Sequence, residues 1–125
     1  MRLALILVAL ALGCGHERAA LVAARVSTGQ GSAEETLEGA RGTLDCPGAL
    51  LPQDLGASDE DGVLRAQHIG AVPFSCALNV AMAGYQPYKA ALQQICAAPA
   101  HGGCQTVDVQ VVLAPEPAKS SGASK

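Results

Sequence analysis

The chain has 125 residues, half of them hydrophobic but only 2% aromatic, with Phe74, Tyr85 and Tyr88 as its large rings, so it has room for one domain and little bulk to fill a core. Burial contributes about 25 cal/mol per Å² of apolar surface, which excludes a second core here and points to covalent staples for the one there is. Formal net charge is -3, and Arg18, Arg25, Arg41, Arg65 and Lys89 stand singly without aromatic interleaving, which excludes the basic footprint of a nucleic-acid-binding protein.

Met1-Arg2 is a short basic start, Leu3 to Leu12 is an uncharged apolar run, and Gly13-Cys14 closes it with a small residue before a cysteine, the layout of a signal peptide. The run is too short for a spanning helix, which needs about 20 apolar residues, and His16, Glu17 and Arg18 follow it directly. The stretch Ala11-Leu12-Gly13-Cys14 resembles the lipobox of bacterial lipoproteins, with Ala11 where that family prefers Leu and Leu12 where Ala is more usual. The resemblance implies cleavage after residue 13, a thioether-linked diacylglycerol on Cys14 and a further acyl chain, such as palmitate, on the new amine. Two or three chains, at about 0.8 kcal/mol per buried CH₂, make a stable membrane anchor. Gly15, where the family's inner-membrane proteins carry Asp, implies an outer-membrane lipoprotein facing the periplasm. An ordinary cleaved signal peptide and a secreted protein are the alternative. Cleavage also leaves seven basic against eleven acidic side chains, a net charge of -4.

Residues 14–42 read as a lipidated Cys followed by a flexible tether, small, polar and charged, with a weakly patterned helix at 33–40. Residues 43–113 hold nearly all the bulky apolar side chains and read as the domain. It opens at Thr43 to Cys46 with a strand end or loop stopped by Pro47-Gly48. Ser58-Asp59-Glu60-Asp61 then reads as a helix start, with Ser58 as N-cap and Val63, Leu64 and Ile69 on the apolar stripe before Gly70. A strand over Val63 to Ile69 is the rival reading. Phe74, Cys76, Leu78, Val80 and Met82 alternate with small or polar residues and predict a strand with one buried face. Pro87 at a first-turn position, with Tyr88, Ala91, Leu92 and Ile95 at helical spacing, predicts a helix over 87–98. Val107, Val109, Val111 and Leu113 predict a second strand. Residues 114–125, rich in Pro, Ser and Ala, read as a disordered tail. The expected fold class is α+β, a short sheet with one or two helices, disulfide-stapled, between a tether and a tail.

Five cysteines are an odd set for an exported chain, and lipidation of Cys14 leaves four: Cys46, Cys76, Cys96 and Cys104. Four cysteines permit three connectivities. Cys96 with Cys104 is favoured because the loop between them contains Gly102-Gly103, which lets its ends approach, and Cys46 with Cys76 then follows by exclusion. The alternative use of Cys96-x4-His101-x2-Cys104 is a zinc site, but the familiar Cys-x2-Cys knuckle is absent and His101 sits in a glycine-rich turn, so no metal and no cofactor is expected.

Asp59, Glu60 and Asp61 could be a carboxylate cluster, yet helix N-terminal charge accounts for them and calcium-loop spacing is missing. Ser75 beside Cys76, and Ser58 with His68, lack the nucleophile-elbow motif. The chain therefore reads as a non-catalytic envelope binding or assembly module, with membrane lipid reached through Cys14 and an envelope protein as its partners. A periplasmic enzyme or enzyme inhibitor with an unrecognised pocket is the alternative. The expected contact surfaces are a sheet edge at Pro73 to Phe74 or Val107 to Leu113, and the rim around Tyr85 and Tyr88, since tyrosines are common interface anchors.

Overall fold

Alternation of buried and exposed side chains begins at the first strand of the computed structural model, which describes residues 19–29, 34–100 and 102–117. In β1 (Ala20–Thr28), Ala20, Val22, Ala24 and Val26 are buried while Leu21 and Arg25 face out, the period of two that a half-buried strand requires. This strand is the centre of the first sheet. On one edge it runs parallel to β10 (Gly103–Val112), with Leu21 to Ser27 opposite Thr106 to Val112. On the other edge it pairs antiparallel with β5 (Val63–His68) and then with the two-residue β2 (Glu35–Thr36). The start of β10 pairs with β6 (Val72–Pro73) and with β9 (Cys96–Ala100).

The second sheet is antiparallel throughout, in the order β4 (Gln53–Ala57), β3 (Arg41–Asp45), β7 (Ala77–Ala81) and β8 (Tyr88–Ala91). Val22, Val26, Leu64, Val107 and Val111 from the first sheet meet Leu44, Leu55, Leu78 and Val80 from the second in one core. The fold is a two-sheet β-sandwich. Cys46 is joined to Cys76 and Cys96 to Cys104. The first bond ties β3 to the start of β7 within the second sheet, and the second staples β9 to β10 within the first. These are the pairs that the sequence favours.

The expectation of an α+β fold is overturned, because the two helices expected within the domain give way to strands and a single helical turn. Over 58–69 a carboxylate expected over the positive end of a helix instead closes a turn: Asp59 Oδ1 accepts the N–H of Asp61 and of Val63, each at 2.9 Å. Gly62 then takes a positive φ of 78°, which only glycine adopts without strain, and a Cβ there would lie 2.7 Å from the Val26 carbonyl oxygen. The chain leaves this turn as β5. Ser58 caps nothing helical; it is buried, donates to the Leu37 carbonyl oxygen at 2.7 Å and accepts the Ala40 N–H at 2.9 Å, pinning two crossings between the sheets together. Over 87–98 only the single turn α1 (Leu92–Ile95) is helical. Ala90 and Leu92 are buried while Lys89 and Ala91 are exposed, so the period there is two, and β7 offers a strand partner that local spacing could not reveal.

Two boundaries move as well. The expected tether holds β1, whose small alanines hide its alternation, and the expected helix at 33–40 holds β2. The start of the expected tail is also part of the fold: Ala114 accepts the Gln86 N–H at 2.8 Å, Pro115 bridges to Tyr85, and the Glu116 N–H donates to Gly84 at 3.0 Å. The two expected strands stand as β7 and β10, the first shortened to Ala77–Ala81 and the second lengthened to begin at Gly103. Cys14, His101 and residues 118–125 lie outside the described residues.

Candidate interaction surface

The register of β1 defines two ends of the sandwich. At the entry end, Ala20 faces His68 and β10 begins; at the far end, Ser27 and Thr28 face Thr36 and Glu35, and the 58–62 turn joins them through the Val26 N–H bonded to Gly62 at 2.7 Å. Seven of the ten described carboxylates, Glu34, Glu35, Glu38, Asp59, Glu60, Asp61 and Glu116, belong to the far end. Asp59 is held below its ordinary value of 3.8 by the Val63 N–H first, then by the Asp61 N–H and by Arg65, 3.4 Å away. Glu34 lies over the outer face of the first sheet, where its Oε2 accepts from Ser27 Oγ at 3.1 Å and from Gln110 Nε2 at 3.0 Å.

Tyr85 and Tyr88 belong to the far end too, both half-buried and packed against the core. Tyr85 carries the bridge to Pro115, and Tyr88 lies opposite Val80 in the second sheet. Desolvation raises the Tyr88 hydroxyl above its ordinary value of 10.0, so it is a neutral donor at physiological pH. The register of the second sheet brings both tyrosines to the same end of the molecule as the acidic turns.

The other expected surfaces separate. Pro73 is already paired with Gly103, and Phe74 packs against the core, so Pro73 to Phe74 is not an open edge. β10 is different. Its β1 side is occupied to Val112, whereas β9 covers its opposite side only as far as Val107. Because the Leu113 N–H donates to Ser27 at 2.8 Å, alternate residues back to Val109 turn their backbone groups toward β1, and Asp108, Gln110 and Val112 turn theirs outward. Among the described residues, no strand meets that outward row.

Among the described residues, none of the sequence's candidate chemistry assembles. Ser58 sits at the far end and His68 at the entry end, separated by the length of β5, about 16 Å at strand rise. His68 Nδ1 is engaged by the Gly70 carbonyl oxygen at 3.0 Å. Ser75 is exposed beside a disulfide-bonded Cys76, and Cys96 and Cys104 hold each other. Among the described residues no three His, Cys, Asp or Glu side chains gather at metal-binding distance. A shallow groove of about 430 Å³ on the outer face, lined by Leu21, Val22, Ala23, Arg65, Ala66 and Gln67, offers one charged group and no acid–base pair.

No protein-family model matches the chain, and no curated protein is similar to it in sequence. Among solved structures it is similar in fold to GBS52, the minor pilin of the gram-positive pathogen Streptococcus agalactiae, with a TM-score of 0.50 and 12% identity over 82% of this chain. The chain spans 47% of that protein's length.

Proposed function

We propose that the chain is a membrane-anchored, non-catalytic interaction module of the cell envelope, held by acylated Cys14 on the outer membrane and facing the periplasm, and that it recruits a partner protein by strand addition along the open edge of β10. The observation that carries this reading is the outward backbone row of Asp108, Gln110 and Val112, at the end of a ten-residue strand whose other edge is paired with β1 from Thr106 to Val112. Main-chain hydrogen bonds to such a row give affinity, and alternate side chains give selectivity. Two disulfides fit an oxidising, extracytoplasmic compartment. The fold likeness to a minor pilin supports an envelope role without specifying a partner. The Gly13-Cys14 junction supports the anchor.

The test is crosslinking in intact cells from a photoreactive residue placed at Asp108. A single envelope protein should be trapped, and Gln110→Pro, which deletes an outward N–H while Val109 and Val111 stay paired to β1, should abolish the adduct without unfolding the domain. Loss of the adduct on changing Arg65 instead, with Gln110→Pro silent, would move the contact to the outer-face groove. Turnover of a substrate by the purified protein would overturn the non-catalytic reading.

A further inference from the structure

Five large apolar side chains are exposed among the described residues, and four of them gather at the entry end: Leu50 is 100% exposed, Ile69 88%, Leu51 80% and Leu21 51%, while Val112 alone belongs to the other end. The register explains the gathering. Ala20 faces His68, so Leu21 and Ile69 belong to this end. Pro73 faces Gly103 here as well, the Cys76 N–H donates to Pro73 at 3.1 Å, and Cys76 is bonded to Cys46. The loop that follows Cys46 therefore projects from the same end, and it carries Leu50 and Leu51.

The described loops of this end carry no carboxylate, lysine or arginine, and His68 at the end of β5 is the titratable side chain beside them. Pro47-Gly48-Ala49-Leu50-Leu51-Pro52, Ile69-Gly70-Ala71 and Phe74-Ser75 contain no ionisable side chain; behind them, the first carboxylates are Asp45 and Asp54, the latter paired with Arg41 at 2.8 Å. The far end, with its seven carboxylates, lies the length of β1 away, about 26 Å at strand rise and about three times the Debye length of about 8 Å.

We infer that the entry end rests on the lipid surface, with Leu50, Leu51 and Ile69 seated between headgroups and upper acyl chains. The inference rests on acylation of Cys14, proposed above. Cys14 stands five residues before Ala19, a reach of at most about 18 Å when fully extended, so an acylated Cys14 holds this end against the bilayer and no other. The intervening Glu17 and Arg18 cancel in charge. Scattered apolar residues are ordinary on a protein surface, but aliphatic tips on separate uncharged loops, beside the point where the chain enters from an anchor, suit a fluid apolar interface about 5–10 Å deep. A protein partner would favour aromatic and arginine anchors in its place. The acidic far end then points away from the lipid surface, and the long axis of the sandwich stands along the membrane normal.

The experiment uses the full chain in the membranes of the cells that express it, with a photoreactive diazirine residue at position 50, 69 or 60 in turn. Mass analysis of the N-terminal peptide reports acylation in the same samples. Acylated Cys14 with on the order of tenfold more lipid adduct at positions 50 and 69 than at 60 is the expected result. Acylated Cys14 with no excess of lipid adduct, or with protein adducts at 50 and 69, overturns the orientation and leaves the anchor standing. Unmodified Cys14 overturns the anchor and the orientation together. Unfolding curves that match the wild type establish that each variant is folded.

Discussion

Ser58 illustrates how much a single hydroxyl decides. It is one of two buried polar residues among those described, and both of its hydrogen bonds go to backbone groups of the 37–40 crossing. Ser58→Ala leaves the Leu37 carbonyl oxygen and Ala40 N–H without that partner, and should lower stability by about 1–3 kcal/mol in urea unfolding, with little change in m. Asp59 and Asp54 govern acid sensitivity. Asp54 is held low by the Gly56 N–H first and by Arg41, and Asp59 by the Val63 N–H first. A carboxylate whose folded value is depressed stabilises fully above its unfolded value and loses that contribution as pH falls through the folded value. Stability should therefore be level at neutral pH and decline below about pH 4. Asp59→Ala should flatten that decline in a pH series of unfolding midpoints. Equal slopes for variant and wild type would remove Asp59 from the account.

At the level of elements, the two disulfides act on different distances along the chain. Cys46 and Cys76 are separated by 30 residues and Cys96 and Cys104 by 8. In the loop-closure model these bonds contribute about 3.5 and about 2.5 kcal/mol. Replacing each pair by alanine should therefore cost more at Cys46 and Cys76 than at Cys96 and Cys104, by about 1 kcal/mol, as measured by denaturant midpoints of the two double variants. The reverse order would indicate that native packing around Cys104, fully buried like Cys76, outweighs the loop term. The four cysteines are legible as an even set because their count and the glycine pair before Cys104 are local facts. The strands they join are less so: residues 88–91 read as helix until β7 is seen beside them, since Tyr88, Ala91, Leu92 and Ile95 satisfy helical spacing while Ala90 and Leu92 satisfy strand spacing.

For the molecule as a whole, the deciding element is β1, which bonds to β10, β5 and β2 at once. A fragment covering 43–113, the domain that composition suggests, lacks this central strand. It should fail to fold, giving non-cooperative denaturation, whereas a fragment covering 19–117 should unfold in one cooperative transition with a far-ultraviolet spectrum dominated by strand. The same strand orients the proposed function. It begins beside the four exposed apolar side chains and ends beside the acidic turns, so an anchor upstream of Ala20 sets which end of the sandwich meets the membrane.

The even set of four bonded cysteines and the strands at β7 and β10 are determined by the sequence itself, because each rests on composition or on a period of two within a few residues. The interaction candidates were legible only as residue types: Tyr85 and Tyr88 as half-exposed rings, Val107 to Leu113 as an edge. The tertiary structure decided the rest. Alternation in Ala20 to Val26 is nearly silent when every second buried residue is alanine, and the parallel pairing of β1 with β10 joins residues more than eighty positions apart. The all-β sandwich, the open half of β10 and the segregation of apolar and acidic ends are products of that long-range pairing, which no local window contains.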